Sequence, residues 1–99
     1  MKNIPIPKIH PGEILREEYL IPLKLSAGAL AKLINVPRTR VERIATEQTG
    51  ITPDTALRFG KVFNTTPAFW LSMQRTYDLA IAEQKIDTST IQTLDMANA

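Results

Sequence analysis

Apolar residues recur along this 99-residue chain at intervals of three and four, and proline, asparagine or glycine interrupts that rhythm at short distances. Ala27, Leu30, Ala31 and Ile34 fall at i, i+3, i+4 and i+7, and so do Ala56, Phe59, Gly60 and Phe63. Val41, Ile44 and Ala45 share one side of a helical wheel, and Phe69, Trp70, Met73, Tyr77, Ala80 and Ile81 form a longer stripe. Ile14, Leu15 and Tyr19 supply a first, shorter set. Such spacing places apolar side chains on one face of an α-helix, and no run alternates with the period of two that a strand requires. The pattern predicts an all-α chain of five helices.

The residues between these stripes set the helix ends. Ser26 is suited to cap the second helix, with Leu25 and Leu30 spaced for a hydrophobic staple. Asn35 tolerates the left-handed conformation that ends a helix, and Pro37 cannot continue the hydrogen-bond ladder but can open a new one. Thr52-Pro53-Asp54 combines a cap, a proline at the first helical position and an acid at the positive end of the dipole. Thr66-Pro67 repeats that start signal, and His10-Pro11-Gly12-Glu13 opens a first helix running to about Leu20. Residues 1–9 read as an extended N-terminal arm because Pro5 and Pro7 disfavour helix in their neighbours. Residues 10–84 form the domain, and 85–99, where periodicity is lost, read as a flexible tail.

The segment from Leu25 to Ile44 has the form of a helix-turn-helix: two short helices about two residues apart, the second opening with arginines. Its apolar side is Val41, Ile44 and Ala45, which leaves Thr39, Arg43 and Thr46 facing outward. A helix presented to the major groove can place Arg on guanine O6 and N7 and Thr on a thymine methyl, while flanking arginines reach phosphates. The expected DNA-contacting set is Ser26, Arg38, Thr39, Arg40, Arg43 and Thr46.

Composition adds limits more than detail. With 43% hydrophobic residues, one domain of this size buries roughly 60–68% of the surface its unfolded chain exposes. Net charge is +2, yet residues 1–50 hold eight Lys and Arg against five acids, and residues 51–99 hold four against five. Basic character therefore sits with the predicted reader, a matter of non-specific attraction and not of fold. Without cysteine there is no disulfide framework, thiolate zinc site or thiol nucleophile. His10 is the only histidine and is expected to be structural beside Pro11. No glycine-rich phosphate loop, nucleophile pattern or histidine base accompanies the acids, so no enzyme activity, metal site or cofactor is expected. No stretch approaches the about 18 apolar residues of a membrane span, and a cytoplasmic location is expected.

Three segments carry a family likeness: His10-Pro11-Gly12-Glu13-Ile14-Leu15-Arg16-Glu17-Glu18, Ile51-Thr52-Pro53-Asp54-Thr55-Ala56-Leu57-Arg58, and Thr66-Pro67-Ala68-Phe69-Trp70-Leu71-Ser72-Met73-Gln74 with Tyr77-Asp78-Leu79. In this order and spacing, from His10 to Ala82, the chain resembles the HigA-type, VapI-like antitoxins of the lambda-repressor-like (XRE) helix-turn-helix family. The resemblance implies a five-helix domain that dimerises through its C-terminal region, binds its own operator and neutralises a HigB-type mRNA-cleaving toxin. Two positions depart from the family pattern. Asn35 stands where relatives usually carry Gly, and Glu47-Gln48-Thr49 stands where they carry Gly followed by Lys or Arg. An acid near phosphate would weaken DNA binding, which makes Glu47 the anomalous position.

Five short helices cannot bury all of Phe59, Phe63, Phe69, Trp70, Leu71, Met73 and Tyr77, so part of that surface is expected to meet a second subunit. Phe69, Trp70, Met73 and Tyr77 are the expected dimer contacts, although aromatics at helical spacing also suit an internal core. Glu13, Glu17 and Glu18 offer an acidic patch for a basic toxin away from the arginine-bearing helix, or simply a solvated face. Two alternatives stand beside the antitoxin reading: a solitary helix-turn-helix regulator without a toxin, and an interaction module that has lost DNA binding.

Overall fold

The computed structural model describes residues 7–97, so residues 1–6 of the expected arm 1–9 and residues 98–99 of the expected tail lie outside the described residues. Among the described residues all regular secondary structure is helical, with no strand. α1 (Pro11–Ile14) begins under a cap from His10, whose Nδ1 accepts the Gly12 N–H at 2.8 Å, with Pro11 in the first turn. It continues without a break as a π-helical stretch, Leu15–Leu20, that closes with Ile21 N–H on the Arg16 carbonyl at 3.0 Å. The expected first helix thus has the expected extent but a wider second half. Hydrogen bonds from i to i+5 bring residues five apart onto nearly the same side. Leu15 and Leu20 can then both enter the core, which a regular α-helix would prevent.

α2 (Ala27–Ile34) starts where Ser26 Oγ accepts the Ala29 N–H at 3.0 Å, and buries Leu30, Ala31 and Ile34. It stops at Asn35, which adopts φ 59° and ψ 49°. Val36 N–H then reaches back to the Ala31 carbonyl at 3.0 Å, the six-to-one bond of a Schellman ending. Three residues, Asn35 to Pro37, separate it from α3 (Arg38–Ala45). α4 (Pro53–Phe63) and α5 (Pro67–Lys85) open under Thr52 and Thr66, whose hydroxyls accept the N–H groups of Thr55 and Phe69. Asn64, at φ 54°, ends α4 in the same left-handed manner as Asn35.

Leu15, Leu30, Val41, Ile44, Ala56, Phe59 and Trp70 form the centre of one core that draws on the π-helical stretch and on α2 to α5. Tyr19, Phe59 and Phe63 surround the Trp70 ring with centroids 4.4 to 6.0 Å apart across the cluster. Trp70 itself is 0% exposed and its Nε1–H donates to Thr65 Oγ at 2.9 Å. That corrects the expected dimer stripe: Trp70 points into its own domain and offers no surface to a partner. The helical wheel placed it with Phe69, but residues one apart diverge by about 100°. Phe63, expected inside, is only half-buried at the edge of this cluster. Beyond Lys85, residues 86–97 form no helix or strand and lie exposed. The molecule measures 57 × 24 × 22 Å.

Candidate nucleic-acid interface

α3 packs into the core through its apolar side and is tied to its neighbours by polar contacts at both ends. Val41, Ile44 and Ala45 are buried, and Arg38, Thr39, Glu42, Arg43 and Thr46 are exposed. An open hollow lies on each side of it. One, of about 380 Å³, is lined by Thr39, Arg40 and Arg43 together with Thr49 and Gly50 of the following loop. The other includes Ser26, Gly28, Lys32 and Arg38. The structure therefore places Ser26 and Arg38 at one hollow beside α3 and Thr39, Arg40 and Arg43 at the other, with the exposed N-terminus of α2 beside the start of α3.

The expected contacts are not equivalent. Arg38 is 71% exposed and makes only a 3.4 Å ion pair with Glu42 one turn along. Thr39 and Arg43 project outward. Arg40, expected as a flanking phosphate contact, turns to α4 and donates to Asp54 Oδ1 at 2.6 Å. Thr46 caps the far end of α3. Its hydroxyl donates to the Glu42 carbonyl at 2.8 Å and accepts from Gln48 Nε2 at 3.0 Å, so its donor is already used within the chain.

Asp54 was not singled out by the sequence pattern as anything but a helix-start acid, yet it joins three elements. Arg58, one turn later, donates to the same oxygen at 2.8 Å and also reaches the Ile34 carbonyl of α2 at 2.6 Å. The Arg58 and Arg40 guanidinium groups hold the Asp54 carboxyl below the usual carboxylate range. An i, i+4 acid and base on a predicted helix was the available signal for the Asp54–Arg58 half; the Arg40 half required the fold.

Glu47 adopts φ 63°, the left-handed region in which glycine is favoured, immediately after α3. This accounts physically for glycine at the corresponding place in the family pattern. Its carboxylate meets the Arg16 guanidinium at 3.5 Å, and Arg16 Nη1 also donates to the Ala45 carbonyl at 2.6 Å. The anomalous acid therefore takes part in fastening the end of α3 to the first helical segment.

His10 is buried, and Nδ1 is occupied as an acceptor by Gly12. The Tyr77 ring meets it edge-on with centroids 4.9 Å apart. Loss of hydration on burial pushes its pKa down, opposed by the nearby Glu47 and Asp78 carboxylates and a backbone hydrogen bond with Thr49. Its expected structural role agrees with this geometry. Glu13, Glu17 and Glu18 are exposed, and Glu17 accepts from Arg16 at 3.1 Å. Phe69 is exposed, whereas Met73 and Tyr77 are half-buried. Among the described residues no group of acids and histidine is placed to hold a metal ion, and no helix is long and apolar enough to cross a membrane.

A helix-turn-helix family model matches residues 15–70. The chain belongs to the helix-turn-helix family. It is similar to virulence-associated protein I of Dichelobacter nodosus, with 57% identity over 79 residues, 80% of this chain and 73% of that protein. Among solved structures it is similar to the Pseudomonas aeruginosa antitoxin HigA with the higBA promoter, at TM-score 0.81 and 39% identity, covering 89% of this chain and 100% of that one. It is also similar to an addiction-module antidote protein of the HigA family from Coxiella burnetii, at TM-score 0.78 and 44% identity, covering 87% and 98%. The expected lambda-repressor-like fold and the family resemblance both hold. Family and fold are those of DNA-binding antitoxins and transcription regulators, not of an enzyme class.

Proposed function

We propose that this chain is a HigA-type antitoxin that acts as a homodimeric, operator-binding repressor and neutralises a HigB-type mRNA-cleaving toxin. The observation that carries the DNA-binding half is the presentation of α3. Its apolar side is locked in the core, while Thr39 and Arg43 stand outward between hollows that also hold Ser26 and Arg38. Thr39 and Arg43 are then base readers, Arg38 a phosphate contact, and Ser26 a phosphate contact beside the free N–H groups of α2. The likeness to an antitoxin solved with its promoter supports the same reading.

One helix offers too few base contacts for operator-level affinity, so two copies present their α3 helices about 34 Å apart or a multiple of that distance. The surface assigned to the second copy is Phe69, Met73 and Tyr77 on α5. Phe69 and Met73 line an apolar hollow with Ile9 and Ile14. The toxin is assigned to the acidic face of the first helical segment, where Glu13, Glu17 and Glu18 are exposed and carry the charge a basic partner requires.

The deciding experiment is a mobility-shift titration on the chain's own promoter at stated salt, with and without the product of the adjacent gene, together with co-expression of the two. A shifted operator, rescued growth and a copurifying complex are expected. Rescue by a variant with Arg38, Arg40 and Arg43 all changed to Ala would separate the two activities. An operator shift with neither rescue nor copurification would leave a solitary regulator; copurification without any operator shift would leave an interaction module.

A further inference from the structure

The loop after α3, residues 46–52, lines the same hollow as Thr39 and Arg43, yet it is fastened from behind by side chains of other helices. Gln74 of α5 accepts the Ile51 backbone N–H at 2.7 Å through Oε1. Its other amide atom, Nε2, donates to Asp78 Oδ1 at 3.0 Å, which fixes which end of the amide faces the loop. Gly50 makes this reach possible. A methyl group there would come within 2.7 to 2.9 Å of the Gln74 amide atoms. Tyr77, one turn along the same helix, touches His10, whose ring in turn meets the Thr49 backbone. Gly12 completes the attachment from α1, since a methyl group there would overlap the Ile44 carbonyl of α3 at 1.8 Å.

Resting on the DNA-binding reading above, we infer that Gln74, oriented by Asp78, is a positioning residue for operator recognition: it fixes the loop that sets the placement of α3 without itself reaching DNA. Base readout demands that Arg and Thr meet base edges within a fraction of an ångström, whereas phosphate contacts tolerate displacement because they act largely through charge. A loop released from α5 therefore costs sequence preference more than general affinity.

The test compares full-length wild type with Gln74→Met, which keeps length and helix propensity but offers Ile51 only a weakly accepting thioether, and with Asp78→Ala. Affinities for the promoter fragment and for a random duplex of equal length are measured at one salt concentration, and amide exchange at Ile51 is followed. Gln74→Met is expected to lose about tenfold on the promoter, the scale of one half-buried hydrogen bond to a backbone donor left unpaired, with random-duplex affinity within about twofold. Asp78→Ala, an exposed site that should leave the fold intact, is expected to lose about threefold in the same direction. Ile51 exchange should accelerate in both. Should Gln74→Met not fold, the Asp78→Ala comparison decides. Unchanged promoter preference in the folded variants, or equal loss on both duplexes, overturns the inference alone. A wild-type chain with no promoter preference overturns the DNA-binding reading and this inference with it.

Discussion

The guanidinium of Arg40, in the first turn of α3, donates to the carboxylate of Asp54, in the first turn of α4, across 2.6 Å. A phosphate approaching this face must compete with that carboxylate for the same donor. Asp54→Asn removes a negative charge and leaves only a neutral, weaker acceptor for Arg40. The variant is expected to bind any duplex more tightly at low salt, and its plot of log affinity against log salt should steepen by about one unit. An unchanged slope would mean that Arg40 stays on α4 when DNA is bound.

Much of this arrangement was legible before the fold. Ser26, Thr52 and Thr66 each cap the helix their sequence context predicts, because a cap is a contact between residues three apart and needs no tertiary information. Asn35 is left-handed as expected for the same local reason. The misses are long-range. Neither the Arg40–Asp54 bond nor the Arg16–Glu47 pair can be read from spacing, since 14 and 31 residues separate their members. Trp70 was misplaced because a helical stripe records that a residue is apolar, not whether its own domain or a partner covers it. The π-helical stretch after Ile14 left no trace because its sequence, Leu15–Leu20, is compatible with an ordinary helix.

Trp70 is the sole tryptophan, so its burial can be followed directly. Its emission is expected to be blue-shifted, resistant to acrylamide and unchanged on dilution through any dimer dissociation, because the intramolecular core covers it. Trp70→Ala should cost about 3–5 kcal/mol of unfolding free energy, as expected for emptying a large buried site. A red shift on dilution would show that a second subunit provides the cover.

His10 links stability to pH. Its pKa is lowered in the folded chain from an ordinary value of 6.5, so the unfolded chain binds the proton more readily than the native one. Its contribution is complete above about pH 6.5 and is lost as pH falls through the lowered folded value. Melting temperature is expected to decline between pH 7.5 and 5.5 in the wild type. His10→Asn can still cap Gly12 but does not titrate, so its decline over that window should be shallower. Parallel declines in the two proteins would assign the pH dependence to other groups.

Arg43 and Arg38 separate reading from attraction on the same helix. Arg43 stands on the outward face in the hollow shared with Thr39, and Arg38 lies at the helix start, 71% exposed and near the N-terminus of α2. Arg43→Ala is expected to cost about 1–3 kcal/mol on the operator, to relax preference at one base-pair position and to change random-duplex affinity little. Arg38→Ala should instead weaken all duplexes alike and flatten the salt dependence by about one unit per site. The two profiles are measured by competition titrations on an operator library at several salt concentrations. If Arg43→Ala lowers operator and random binding equally, Arg43 is a phosphate contact, and base reading then rests on Thr39.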